Sequence, residues 1–103
     1  MGKIYSGITS ELKSWIERQK VITVATAPLS GDGFINCSPK GSDTFRVIGA
    51  MSVCYLDLTG SGIETVAHLK ENGRIVIMFA AFEGPPQILR LHGQGTVITR
   101  GAE

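Results

Sequence analysis

The stretch Gly60-Ser61-Gly62-Ile63-Glu64-Thr65 holds the residue types best suited to binding chemistry. A serine between two glycines ahead of a helix leaves backbone N–H groups and the positive end of the helix dipole open to an anion such as phosphate. Thr65, one turn in, can aim its hydroxyl the same way, and Lys40, beside Pro39, can add positive charge. A ligand-free explanation fits the same residues. Ser61 as N-cap and Glu64 three positions later form a capping box, which satisfies the first N–H groups of the helix by itself. Residue types alone leave both readings open.

Other reactive residues are sparse. His68, His92, Cys37 and Cys54 lack the four convergent ligands and the spacing of a zinc site, so no metal is expected and the histidines read as surface or core residues. Neither cysteine sits in a C-x-x-C pair, and two cannot build a disulfide framework. They read as buried thiols in a reducing, cytoplasmic compartment. Ser10 and Lys13 imitate an S-x-x-K motif, but its partner motifs are absent. Gly2 followed by Ser6 superficially fits a myristoylation pattern, a match too short to carry weight. No nucleophile–base set is visible, so no catalytic residue is assigned.

Composition narrows the classes further. A chain of 103 residues is sized for one domain. With 43% hydrophobic and 18% charged residues it is too apolar for a disordered chain. A formal net charge of +1 supplies no field for nucleic acid or an acidic membrane surface. No apolar run approaches the roughly 20 residues of a membrane helix, and the start Met1-Gly2-Lys3-Ile4 lacks a secretory apolar core. A chain this small cannot enclose a large cofactor and still keep a full core. Any sizeable ligand is therefore expected on its surface or between two copies.

The elements that must position these residues follow from periodicity. Ile8, Leu12, Trp15 and Ile16 mark one face of a helix that Thr9 or Ser10 can cap. Val21 to Ala27 is β-branched and alternating, and Phe34 to Ser38 resumes as a second strand beyond the Ser30-Gly31-Asp32-Gly33 turn. Pro39 to Asp43 breaks that strand. Phe45 to Ile48 and Ser52 to Asp57 make two more. The second helix starts at Ser61, buries Ile63, Val66 and Ala67 with Leu69 near the edge, and stops at Asn72-Gly73, with Gly73 left-handed. Arg74 to Phe82 is a nearly continuous apolar strand expected to be buried on both faces. Pro85-Pro86 separates it from a last strand, Gln87 to Thr99, bent at Gly93 and Gly95. The order α-β-β-β-β-α-β-β with short turns predicts a mainly β domain, an antiparallel barrel with two flanking helices.

Asn36-Cys37-Ser38-Pro39-Lys40-Gly41 and Tyr55-Leu56-Asp57-Leu58-Thr59-Gly60-Ser61-Gly62-Ile63-Glu64-Thr65 resemble the pyridoxamine 5′-phosphate oxidase-like, FMN-binding split-barrel proteins. Glu71 to Phe79 and Ile88 to Gly93 continue the likeness, which covers Ile8 to Ile98. The resemblance implies a six-stranded antiparallel Greek-key split barrel, a homodimer holding FMN at its interface. It implies that the isoalloxazine lies along Asn36, Cys37, Ser38, Pro39 and Lys40, supported by Tyr55, Leu56 and Asp57. The phosphate would rest on Ser61, Gly62 and Thr65, with Lys40 and Arg90 as basic groups.

Two departures shape the expected activity. The oxidases carry Arg-Lys where this chain has Gly62-Ile63, and they take Arg and His substrate ligands from a C-terminal segment beyond the counterpart of Glu103. The expectation is a flavin-dependent oxidoreductase of another, unidentified substrate, either a short form or the N-terminal part of a larger protein. A non-enzymatic storage or sensor protein for FMN, deazaflavin F420 or haem is the competing class, and a structural dimer with an empty site is a third, because fold does not choose between them.

Overall fold

The computed structural model describes residues 2–56 and 63–98. Its elements are α1 (Ser10–Glu17), β1 (Val21–Thr26), β2 (Asn36–Gly41), β3 (Arg46–Gly49), β4 (Ser52–Cys54), α2 (Ile63–Glu71), β5 (Arg74–Ala80) and β6 (Ile88–Gln94). The chain is mainly β with two helices, in the order read from the sequence.

Helix α1 begins where Thr9 accepts the Leu12 N–H on its side-chain oxygen at 3.1 Å, so Thr9 rather than Ser10 is the cap. Eight residues are too few for a helix to persist alone, and packing holds this one. Leu12 and Ile16 are buried, and Trp15 meets Phe79 edge-on with ring centroids 6.4 Å apart. The same Phe79 also meets Phe45 edge-on, with ring centroids 5.2 Å apart.

Strands β2-β1-β5-β6 form an antiparallel four-stranded sheet, and β3 and β4 form a separate hairpin with a register shift between Val47 and Gly49. Among the described residues no ladder joins the two sheets into a closed barrel. Residues directly opposite one another share a face. The row Ser38–Val24–Ile77–Leu91 points inward, while Pro39–Thr23–Met78–Arg90 and Cys37–Ala25–Val76–His92 point outward. The core, built on Ile16, Ile22, Val24, Phe45, Ile77 and Phe79, lies wholly on the inward side, under α1 and the β3–β4 hairpin.

That arrangement corrects the expectation of a fifth strand buried on both faces. In β5, Ile77 and Phe79 are buried, whereas Val76 and Met78 are only half-buried. The helices and the hairpin all fall on one side of the sheet, so the other side is left without cover by the described chain.

Other boundaries differ for local reasons. Pro39 does not break β2, which runs through it to Gly41. A strand at the sheet edge tolerates a residue without an N–H. Strand β4 ends at Cys54, and Tyr55 and Leu56 continue as irregular chain fixed by Thr44. The Thr44 hydroxyl donates to the Leu56 carbonyl at 3.2 Å and accepts the Leu56 N–H at 3.3 Å. Strands β5 and β6 stop at Ala80 and Gln94, short of Phe82 and Thr99. Gly73 has φ +76°, the left-handed conformation expected after a helix. Among the described residues no helix is long and apolar enough to cross a membrane.

Candidate functional site

A group of hydrogen-bonded polar residues lies where α2 meets β1 and β2. Asn36, the first residue of β2, stands opposite Thr26, the last of β1, and both share the inward face. Asn36 Nδ2 donates to Thr65 Oγ1 at 2.8 Å, although the two residues are 29 apart in sequence. One turn further along α2, His68 Nδ1 is hydrogen-bonded to Thr26 Oγ1 at 2.9 Å. The seam continues: Glu71 Oε1 accepts the Leu29 N–H at 2.7 Å, and Asn72 Nδ2 donates to the Ala27 carbonyl at 2.8 Å. Thr26 and Thr65 are each only 3% exposed, so their hydroxyls need these partners.

This seam overturns the expected orientation of α2. Ile63, placed on the buried side by periodicity, is 74% exposed, and Ala67 is exposed as well. Val66 and Leu69 are half-buried, and the buried residue of the helix is Thr65. The spacing of Thr65, His68 and Glu71 makes one helical face, and hydrogen bonds to the start of β2, the end of β1 and the loop after it decide which face turns inward.

Strand β2 carries the rest of the site. Ser38 and Lys40 share the inward row with Asn36 and are half-buried, while Cys37 and Pro39 are exposed on the outward face. The Ser38 Oγ is buried and has no hydrogen-bond partner among the described residues. Lys40 lies four residues from Asn36, about 13 Å along an extended strand. Lys40 and Thr65 therefore stand at opposite ends of β2 and do not form one cluster. Arg90 is further away in kind: it is exposed on the outward face of β6, opposite Met78, at the other edge of the sheet. The structure does not bring Arg90 to the inward row. Tyr55 packs against the core and Leu56 is held by Thr44, neither of them in a strand paired with β2. Asp57, Ser61 and Gly62 lie outside the described residues, and with them the N-cap half of the capping box.

Both cysteines contradict the expected burial, since Cys37 and Cys54 are exposed. Cys37 occupies an outward position of an edge strand, and Cys54 ends the short hairpin strand. Among the described residues no three His, Cys, Asp or Glu side chains converge as a metal site would require. A groove of about 1000 Å³ is lined by residues 2–8, the β3–β4 turn, β5 and β6, but by no residue of β2 or α2.

His68 and Thr26 were not distinguishable as site residues in the sequence. The usable signal was positional: a threonine at an inward strand position, and a histidine three residues after Thr65.

A family model described as "Pyridoxamine 5′-phosphate oxidase" matches residues 8–103. The chain is 44% identical over 96 residues to the "Pyridoxamine 5′-phosphate oxidase family protein ustO" of Aspergillus flavus. That alignment takes in 91% of this chain and 38% of the relative, so the chain spans well under half of the relative's length. No solved structure matches the chain.

Proposed function

The chain belongs to the pyridoxamine 5′-phosphate oxidase family, and from that membership we propose that it binds FMN without a covalent bond and serves as a flavin-dependent oxidoreductase. The proposal includes a cytoplasmic homodimer of Greek-key split barrels, and a substrate other than pyridoxamine 5′-phosphate. The observation that carries it is the hydrogen bond between Asn36 and Thr65. It joins the strand expected to receive the flavin ring to the helix turn expected to receive the phosphate.

The residues present suit an elongated, polar ligand. Asn36 and Thr65 supply an amide and a hydroxyl at one end of β2, and Lys40 supplies a cation at the other. Between them the buried Ser38 Oγ has no partner among the described residues, a hydrogen-bonding capacity that a polar ligand beside β2 would use. When bound, FMN would bring redox chemistry at its ring. The protein's own share is orientation and charge. Asn36 and Thr65 would hold the phosphate end, and Lys40 would face the polar edge of the ring. The uncovered outward face of the sheet would close against a second copy.

Fluorescence titration with FMN tests the placement. Asn36→Ala should weaken binding roughly five- to tenfold, the value of about one hydrogen bond. Lys70→Ala, in the exposed last turn of α2, should leave it unchanged. Equal effects of the two would move the site away from β2.

A further inference from the structure

Thr26, Asn36, Thr65 and His68 form a closed four-residue arrangement. Thr26 and Asn36 are cross-strand partners, Thr65 and His68 are neighbours on one helical face, and the two pairs are tied by hydrogen bonds of 2.9 and 2.8 Å. The first half of α2 rests on the sheet through these polar links, with Ile63 and Ala67 facing solvent. Apolar packing can slide by fractions of an ångström at little cost, but two hydrogen bonds between nearly inaccessible hydroxyls and fixed partners cannot. The position of Thr65 relative to β2 is thus set by a second bond that touches neither end of the expected ligand.

We propose that His68 and Thr26 are positioning residues, which hold Thr65 at the distance from Asn36 that a phosphate group requires. The inference rests on the FMN reading above and deepens it: the link governs recognition of the phosphate, not of the ring. Breaking it frees the first turns of α2 to shift, while β2 and its Ser38 and Lys40 stay in the sheet. The selectivity for a phosphorylated flavin over an unphosphorylated one should fall accordingly.

FMN and riboflavin, which differ only in the phosphate, are the probes. The parent protein should bind FMN more tightly. Thr26→Val keeps the shape and removes the hydroxyl, and His68→Leu removes the other partner. Each should weaken FMN roughly five- to tenfold, as loss of one hydrogen bond does, with riboflavin affinity unchanged. The double variant should be no worse than either single one, because both break the same link. His68→Asn, whose Oδ1 can take the place of Nδ1 as acceptor, should restore FMN binding. Equal losses for both flavins, or additive effects of the two substitutions, would overturn the inference.

Hydrogen exchange on the ligand-free protein separates this from a general loss of fold. In Thr26→Val, exchange should quicken in α2 and around Asn36 while α1 and β5 keep their protection. Unchanged exchange in α2, or loss of protection everywhere, would overturn the link. A parent protein that binds neither flavin would overturn the proposed function, and the exchange result then decides the link alone.

Discussion

A buried hydroxyl with no partner costs stability, about 1–3 kcal/mol by comparison with a satisfied one. Ser38, whose hydroxyl has no partner among the described residues, carries that cost in the middle of β2. Ser38→Ala should therefore leave the ligand-free protein as stable as the parent or slightly more so, by up to about 1 kcal/mol, while weakening its affinity for FMN. Thermal melts and flavin titrations of the same variant read the two effects separately. Lower stability with unchanged affinity would mean that Ser38 belongs to the fold and not to the site. Asn36, Ser38, Lys40 and Thr65 were all legible as candidates from residue type and resemblance. Their grouping was not. The inward row of β2 depends on its register with β1, and the distance between Lys40 and Thr65 depends on where α2 lands, which no local spacing encodes. The cysteines show the same limit, since small apolar-like thiols favour burial on average but Cys37 sits on an edge strand.

Periodicity named the elements well where one face is plainly apolar, as in α1, and poorly where tertiary hydrogen bonds rule. In α2 the apolar residues Ile63, Val66 and Ala67 suggested one buried side, and the bonds to Asn36, Thr26, Leu29 and Ala27 selected another. The nearly unbroken apolar run of β5 could not reveal which face lacked cover, and Pro39 read as a break because its edge position was unknown. The stop of α2 was legible, because a left-handed residue after a helix asks for glycine. Gly73 has φ +76°, and an added Cβ would stand 2.5 Å from Gln94 Oε1. Its carbonyl also accepts the Gly95 N–H at 2.7 Å, which ties the helix end to the chain leaving β6. The Gln94 side chain can swing away, so backbone strain sets the penalty. Gly73→Ala should destabilise by about 1–2 kcal/mol in urea unfolding, and Gly73→Asn by less. Equal stability of Gly73→Ala and the parent would mean the turn relaxes at no cost.

Among the described residues, the sheet buries one face under α1 and the hairpin and leaves the other bare. Ala25, Val76 and Met78 line that bare face half-buried, and Ile88, at its edge, is 57% exposed. A second copy is the proposed cover, in an obligate interface of roughly 2,000 Å² or more. Met78→Glu places a carboxylate at the centre of this face, directly opposite Arg90, where a cross-strand ion pair makes it tolerable in the separated chain. Sedimentation should show a dimer for the parent and a folded monomer for Met78→Glu. A monomeric parent, or a variant that stays dimeric, would exclude this face as the interface. The size of the chain suggested a second copy, but the side of the sheet left open came only from the placement of the helices. The central claim, that the pair Asn36–Thr65 and the strand behind it hold FMN, is met most directly by the visible absorption spectrum of the protein purified without added cofactor. The account predicts a yellow protein with the absorption bands of a flavin, released as FMN on denaturation, at one per chain. A colourless protein whose spectrum and fluorescence stay unchanged on titration with FMN would contradict it.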